Sequence, residues 1–360
     1  MKYQRRLHHH FLVTTFSLAL MSVASFSVFS SEFSNSYSAY QAAISSKNYV
    51  NAEKYAEQTY QLGASIYPKE SITQANLAMN WGSVLRRNGK KAEAFAAYSE
   101  ALMIYQKHFN DNAIDLLDPL LGVAETTEDN KLAKNTFNNA IDIIEDVDNP
   151  VLLADTLMAA FNHLSQTSLY SRKIQRYAIE ALEIYQDNLP GNSMSRVKAT
   201  YAVGLIRKSK KQNSQAIELL NEVVKQFSVL DYSHPYELAS HAHLVELYEQ
   251  AGQSDESTQH CIAIGRMRPW TDTQDQLPLY RSEPKYPRNL GRSGKDGMVQ
   301  LSFIVDESGF VTQPKIITSV GGSGFEKASL RAIKQWRYAP KFVDGKPVAA
   351  QSEVQIDYTL

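Results

Sequence analysis

The sequence predicts an array of paired helices followed by a small α+β domain of order β-β-α-β. Three observations carry that prediction. A block of small and large apolar residues recurs every 39 to 43 residues between positions 52 and 257, a period that belongs to stacked helix–turn–helix units. Two later runs, over 299–305 and 311–319, read as strands joined by a hairpin loop. The final run alternates strictly, with Val354, Ile356, Tyr358 and Leu360 on one side and Glu353, Gln355, Asp357 and Thr359 on the other. That is the pattern of a half-buried antiparallel strand.

The bulk numbers bound the function. With 360 residues there is room for two or three domains, and 43% hydrophobic residues suffice for cores but not for a multispan membrane protein. The net charge of −1 gives no whole-chain attraction to nucleic acid. The charge is uneven: residues 278–360 hold 12 Lys/Arg against 8 Asp/Glu, whereas residues 32–277 hold 22 against 30. The single cysteine, Cys261, can form neither an internal disulfide nor a zinc site alone, and its helical setting predicts a small buried hydrophobe. His241 and His243 stand two apart on a helix and point to different faces, so no metal site is expected there. No nucleophile elbow, phosphate loop, metal-ligand pair or dinucleotide fingerprint is present. The expectation is a binding protein with no catalytic residues and no cofactor.

The N-terminus, residues 1–31, has targeting grammar. Lys2, Arg5 and Arg6 precede an uncharged run from Phe11 to Ser30 that carries small serines at 25, 27 and 30. This reads as an export signal, either cleaved or kept as a single-pass anchor, with the rest of the chain outside the cytoplasm.

Residues 36–269 carry the repeat. One unit reads Ala78, Trp81, Gly82 and Leu85, then Gly89, Ala94, Tyr98 and Ala101. Gly82 allows close helix approach, Gly89 closes the first helix, and Ala94, Tyr98 and Ala101 share a face of the second. Ala133, Phe137 and Ala140 repeat that face, as do Tyr177 and Ala181, Ala216 with Leu220 and Val223, and Ser257 with Cys261 and Ile264. The leading slots are 52, 94, 133, 173, 216 and 257, with Lys173 in the fourth. This pattern resembles tetratricopeptide repeats of the longer kind, which implies an α-solenoid that binds other envelope proteins. The tyrosines at 55, 98, 105, 177, 185 and 248 fall at core spacing and are expected to pack rather than to contact a ligand.

A linker over 270–283, with Pro269, Pro278, Pro284 and Pro287 in and around it, is expected to be extended. The last domain, 284–360, follows. Asp306-Glu307-Ser308-Gly309 is the hairpin loop, with Gly309 supplying the unusual backbone angle. Pro314 cannot donate to a ladder and belongs at an edge or a bulge. Phe325, Ser329, Ile333 and Trp336 stand at helical spacing and face the sheet, Pro340 ends the helical region, and Asp344-Gly345 turns the chain.

The motifs Pro284-Lys-Tyr-Pro287, Gly297-x-Val299, Phe303-x-Val305-x-x-x-Gly309-x-Val311 and Trp336-Arg337-Tyr338-x-Pro340 resemble, in order and spacing, the carboxy-terminal domain of the TonB family. The resemblance implies capture of an extended receptor segment, the Ton box of TonB-dependent outer-membrane receptors, by strand addition. It places the receiving strand at Gln351, Glu353, Val354, Gln355, Ile356, Asp357 and Tyr358, and a receptor-contact region at Tyr286, Pro287, Arg288 and Arg337, with Arg337 either a surface contact or a member of an ion pair. Full energy transduction further implies an ExbB/ExbD-type inner-membrane complex. The family drives that contact through a Ser and a His one turn apart, and no His lies between Phe11 and Ser30. The family's long Pro-rich spacer is replaced by the repeats. The alternative is a periplasmic scaffold that holds envelope proteins on its repeats without energy coupling.

Overall fold

The computed structural model describes residues 24–227, 234–267, 276–292 and 294–359. Lys2, Arg5, Arg6, most of the Phe11–Ser30 run, Pro269 and Leu360 lie outside the described residues. By contact density the chain divides into two compact units, Met1–Asp146 and Val147–Leu360.

The first unit is three antiparallel helix pairs: α1 (Ala24–Ser45) with α2 (Tyr49–Ile66), α3 (Ile72–Arg87) with α4 (Lys91–His108), and α5 (Leu117–Thr126) with α6 (Asn130–Glu145). Asn48, Ser71 and Asp129 accept backbone N–H bonds at the starts of α2, α3 and α6, satisfying donors that a helix leaves free. The repeat face packs as its spacing demands: Ala52, Ala94, Ala101, Ala133, Phe137 and Ala140 are all fully buried. Gly82 and Gly122 flank the Tyr98 ring so closely that a methyl on Gly122 would sit 2.4 Å from it. The small residues of the motif thus make room for its large one.

The second unit continues the pairing with α7 (Pro150–Leu164) and α8 (Arg172–Asn188), α9 (Met194–Ser209) and α10 (Asn213–Phe227), and α11 (Pro235–Gln250) and α12 (Ser254–Met267). One slot corrects the sequence reading. Lys173 is exposed, and Ile174 beside it is the buried residue that leads Tyr177 and Ala181 into the core. The degenerate repeat shifts by one position there. Tyr98, Tyr177 and Tyr185 are buried, while Tyr55, Tyr105 and Tyr248 pack half-buried against core clusters. Among the described residues no helix is long and apolar enough to cross a membrane.

The C-terminal domain adds β1 (Pro278–Tyr280), α13 (Arg288–Arg292), β2 (Gly297–Val305), β3 (Val311–Val320), α14 (Ser323–Ile333), β4 (Arg337–Tyr338), β5 (Lys341–Val343), β6 (Lys346–Val348) and β7 (Ala350–Tyr358). Its main sheet is antiparallel in the order β3-β2-β7. Alternation puts Val299, Leu301, Phe303, Val305, Ile356 and Tyr358 on one face, under Phe325, Ala328 and Ile333 of α14. Asp344 and Gly345, with φ of 50° and 75°, form the two-residue turn between β5 and β6. The helix expected to reach Pro340 ends at Ile333, and Trp336 and Tyr338 enter the core from the segment beyond it.

The stretch expected to be an extended linker is anchored from residue 278 onward. β1 pairs with β4, Trp336 Nε1–H donates to the Ser282 carbonyl at 2.9 Å, and the Arg281 guanidinium lies 4.5 Å above the Trp336 ring. Leu279, Tyr280 and Ala339 pack against Val245, Cys261 and Ile264 of α11 and α12. A terminal repeat leaves an apolar end that needs a cover, and here the C-terminal domain is that cover.

Candidate functional site

The main sheet has two outer strands, and they differ. β3 carries Pro314, two breaks in its register with β2, and a positive φ of 49° at Gln313. Such features guard an edge against further pairing. β7 pairs with β2 over nine residues in unbroken register, from Ala350 to Tyr358, and contains no proline. Among the described residues no strand pairs with its other side.

The hairpin determines which groups that side offers. Asp306 N–H donates to the Phe310 carbonyl at 3.0 Å, and Thr312 Oγ1 donates to the Ile304 carbonyl at 3.3 Å, so Ile304 and Asp306 turn their backbones toward β3. Successive residues of a strand turn N–H and C=O to opposite sides. Val305, Phe303, Leu301 and Val299 therefore face β7, where their register partners are Ala350, Ser352, Val354 and Ile356. The backbone N–H and C=O of Gln351, Glu353, Gln355 and Asp357 are left on the outer margin.

The expected receiving strand thus splits into two sets. Gln351, Glu353, Gln355 and Asp357 are exposed and show both side chain and backbone to solvent. Val354, Ile356 and Tyr358 hold the strand in place: Ile356 and Tyr358 are buried, Val354 packs against the core, and the Tyr358 hydroxyl lies 2.7 Å from Ser329 Oγ. Tyr286 stands beside the end of this strand, its ring edge-on to Tyr358 at 5.8 Å and to Phe325 at 5.4 Å, with its hydroxyl donating to the Lys295 carbonyl. Pro287 and the exposed Arg288 follow it into α13.

Arg337 does not join them. Of its two expected roles, surface contact and ion pair, it takes the second, and it is 1% exposed. Its guanidinium donates to Glu249 Oε1 at 2.5 Å, Thr258 Oγ1 at 2.7 Å and the Ser308 carbonyl at 3.0 Å, with a longer contact to the Ser254 carbonyl at 3.4 Å. Phe310 stacks on it at 3.7 Å. Three of these partners belong to α11 and α12. Both terminal nitrogens of the planar fork find acceptors in this socket, and a receptor carboxylate could not reach it.

α11 and α12 also share a histidine pair that spacing alone did not reveal. His241 Nδ1 and His260 Nδ1 are 2.7 Å apart, and His260 stacks on Tyr248. Burial pushes both imidazoles down to about 4. The unfolded chain, whose histidines titrate near 6.5, binds more protons than the folded one below that pH. Stability from this pair is complete above about pH 6.5 and falls as pH drops toward 4. His260→Gln should flatten this part of a plot of Tm against pH; an unchanged profile would show that the pair does not titrate on unfolding. Among the described residues no three His, Cys, Asp or Glu side chains could hold a metal ion.

Fold and margin together define a helical-repeat protein with a small α+β domain whose β7 edge is regular and, among the described residues, unpaired on its outer side. Residues 282–360 match the family model for the C-terminal of the Gram-negative bacterial TonB protein, so the terminal domain is TonB-like. Over 78 residues the chain is 32% identical to Protein TonB of Vibrio cholerae, covering 22% of this chain and 32% of that one. It is 31% identical over 78 residues to Protein TonB of Pseudomonas aeruginosa, covering 22% and 23%. The chain thus spans about a third or less of the length of these curated relatives. Among solved structures, the solution structure of the Pseudomonas aeruginosa TonB CTD is similar at 27% identity and a TM-score of 0.22, covering 25% of this chain and 90% of that one. The crystal structure of BtubC from P. vanneervenii is similar at 13% identity and a TM-score of 0.47, covering 71% and 99%.

Proposed function

We propose that this chain is a periplasmic component of outer-membrane active transport, capturing an extended receptor segment by strand addition on β7. The contrast between the two sheet edges carries the proposal. β3 is bulged and interrupted by Pro314, while β7 is long, regular and unpaired on its outer side. An incoming strand gains its main-chain bonds from Gln351, Glu353, Gln355 and Asp357. Tyr286, Pro287 and Arg288 stand at the end of the same strand to contact the flanking residues. The family match over 282–360 supports the reading. The proposal is confined to capture, since the Ser and His pair through which the family couples to its inner-membrane motor has no counterpart between Phe11 and Ser30.

The test is a calorimetric titration of the full chain with synthetic Ton-box peptides. Gln355→Pro removes an outward N–H and leaves the β2 ladder intact, and it should weaken binding about ten-fold or more. Gln355→Ala keeps the N–H and should change affinity by less than about three-fold. Equal affinities for the wild type and the proline variant would sink strand addition on β7.

A further inference from the structure

We propose that Arg337 bolts the C-terminal domain to the last helix pair, so that α11, α12 and residues 276–359 form one body. Force or displacement applied at β7 then passes into the helical array rather than into a slack linker.

Four observations place the bolt. Arg337 is buried, and its guanidinium reaches Glu249 on α11, Thr258 and the Ser254 carbonyl on α12, and Ser308 in the β2–β3 loop. It thereby ties three segments of distant sequence at one point. The loop also meets the pair: a Cβ added to Gly309 would sit 3.3 Å from Cys261 Cβ of α12. An apolar seam runs alongside, with Leu279, Tyr280 and Ala339 against Val245, Cys261 and Ile264. Finally, Gly265 of α12 lies so close to the Pro340 carbonyl that an added Cβ would sit 2.5 Å from it. Polar fork, apolar seam and the close approaches at Gly265 and Gly309 together describe an interface packed like a protein interior.

The body also carries its own reporter. Cys261, the chain's single cysteine, is buried beneath Gly309 and Ala339, and burial pushes its thiol up to about 11. It reacts with an alkylating reagent only when the C-terminal domain lifts from α11 and α12. Alkylation of the full-length chain therefore measures docking directly.

In the wild type, iodoacetamide at pH 8 should modify Cys261 slowly. Glu249→Gln should speed the reaction about a hundred-fold, and Thr258→Val more modestly, because a buried guanidinium is left partly unpaired. The acceleration should depend weakly on urea, since undocking exposes far less surface than unfolding. Replacing both partners, Arg337→Met with Glu249→Leu, should restore most of the protection. Rapid alkylation of the wild type, rates unchanged by Glu249→Gln, or a urea dependence as steep as that of global unfolding would each overturn the proposal. The consequence for load transfer rests on receptor capture at β7, but the bolt does not. The alkylation assay contains no peptide, so either idea can fail alone.

Discussion

Replacing Glu249 by alanine should lower the unfolding free energy of the second unit by about 3–5 kcal/mol. The reason is asymmetry. The Arg337 side chain is 1% exposed, and Glu249, with a side chain 11% exposed, is its only carboxylate partner among the described residues. Bringing these two charges out of water is costly, and their mutual attraction with the bonds to Thr258 and Ser308 offsets that cost. Deleting one partner removes the offset and leaves the cost. Arg337→Ala should lose a comparable amount by a different route, since it opens a cavity against Phe310 and strands three acceptors. For a unit of this size, each kcal/mol corresponds to about 2–4 °C in Tm. Glu249→Ala should therefore melt about 6–20 °C below the wild type, as read by calorimetry. A shift below 2 °C would mean that solvent reaches Arg337 freely. The pair separates cleanly from the exposed pairs of the same chain. Breaking Lys107–Glu70, with side chains 55% and 65% exposed, should leave Tm nearly unchanged, because solvent and salt screen an exposed pair.

An ion pair at Arg337 is open from the sequence, but its partner is not legible there. Glu249 stands 88 residues upstream on a helix that carries several carboxylates. No local pattern distinguishes Glu249 from Glu246, which binds Lys208 instead. The same holds for His241 and His260, which sit on successive helices and meet only when these pack. What the sequence does show is periodic. The helix pairs are legible because each face repeats at the helical period and each unit repeats near forty residues. The one slip, Lys173 in place of Ile174, comes where the copy is least faithful. The terminal strand is legible because strict alternation leaves one register compatible with a buried face. Its outward backbone set is not, since that depends on how the β2–β3 hairpin closes at Asp306 and Phe310. The 278–283 segment is extended, as its prolines imply, but its anchoring to the last helix pair is not legible. Proline forbids donation at one position but leaves Leu279 and Tyr280 free to fill the apolar end of the last helix pair.

Trp336→Ala should cost about 3–5 kcal/mol, the second large effect, and the way it fails should be diagnostic. The indole is fully buried and performs two tasks at once. Its ring fills the space under the sheet next to Tyr338, and its Nε1–H holds the Ser282 carbonyl while Arg281 covers its outer face. Trp336→Phe separates these tasks, because it keeps most of the apolar volume but removes the donor. It should cost about 1–3 kcal/mol, for the unpaired carbonyl and a small void. If Trp336 were core alone, hydrogen exchange in the phenylalanine variant would rise evenly across the domain. If it also pins the 278–283 segment, exchange should rise first at Leu279 and Tyr280, whose strand pairs with Arg337 and Tyr338, while Val299 and Leu301 stay protected. Because Leu279 and Tyr280 lie over Cys261, that local opening should also expose the thiol, so the pin and the bolt on either side of Trp336 and Arg337 guard the same seam.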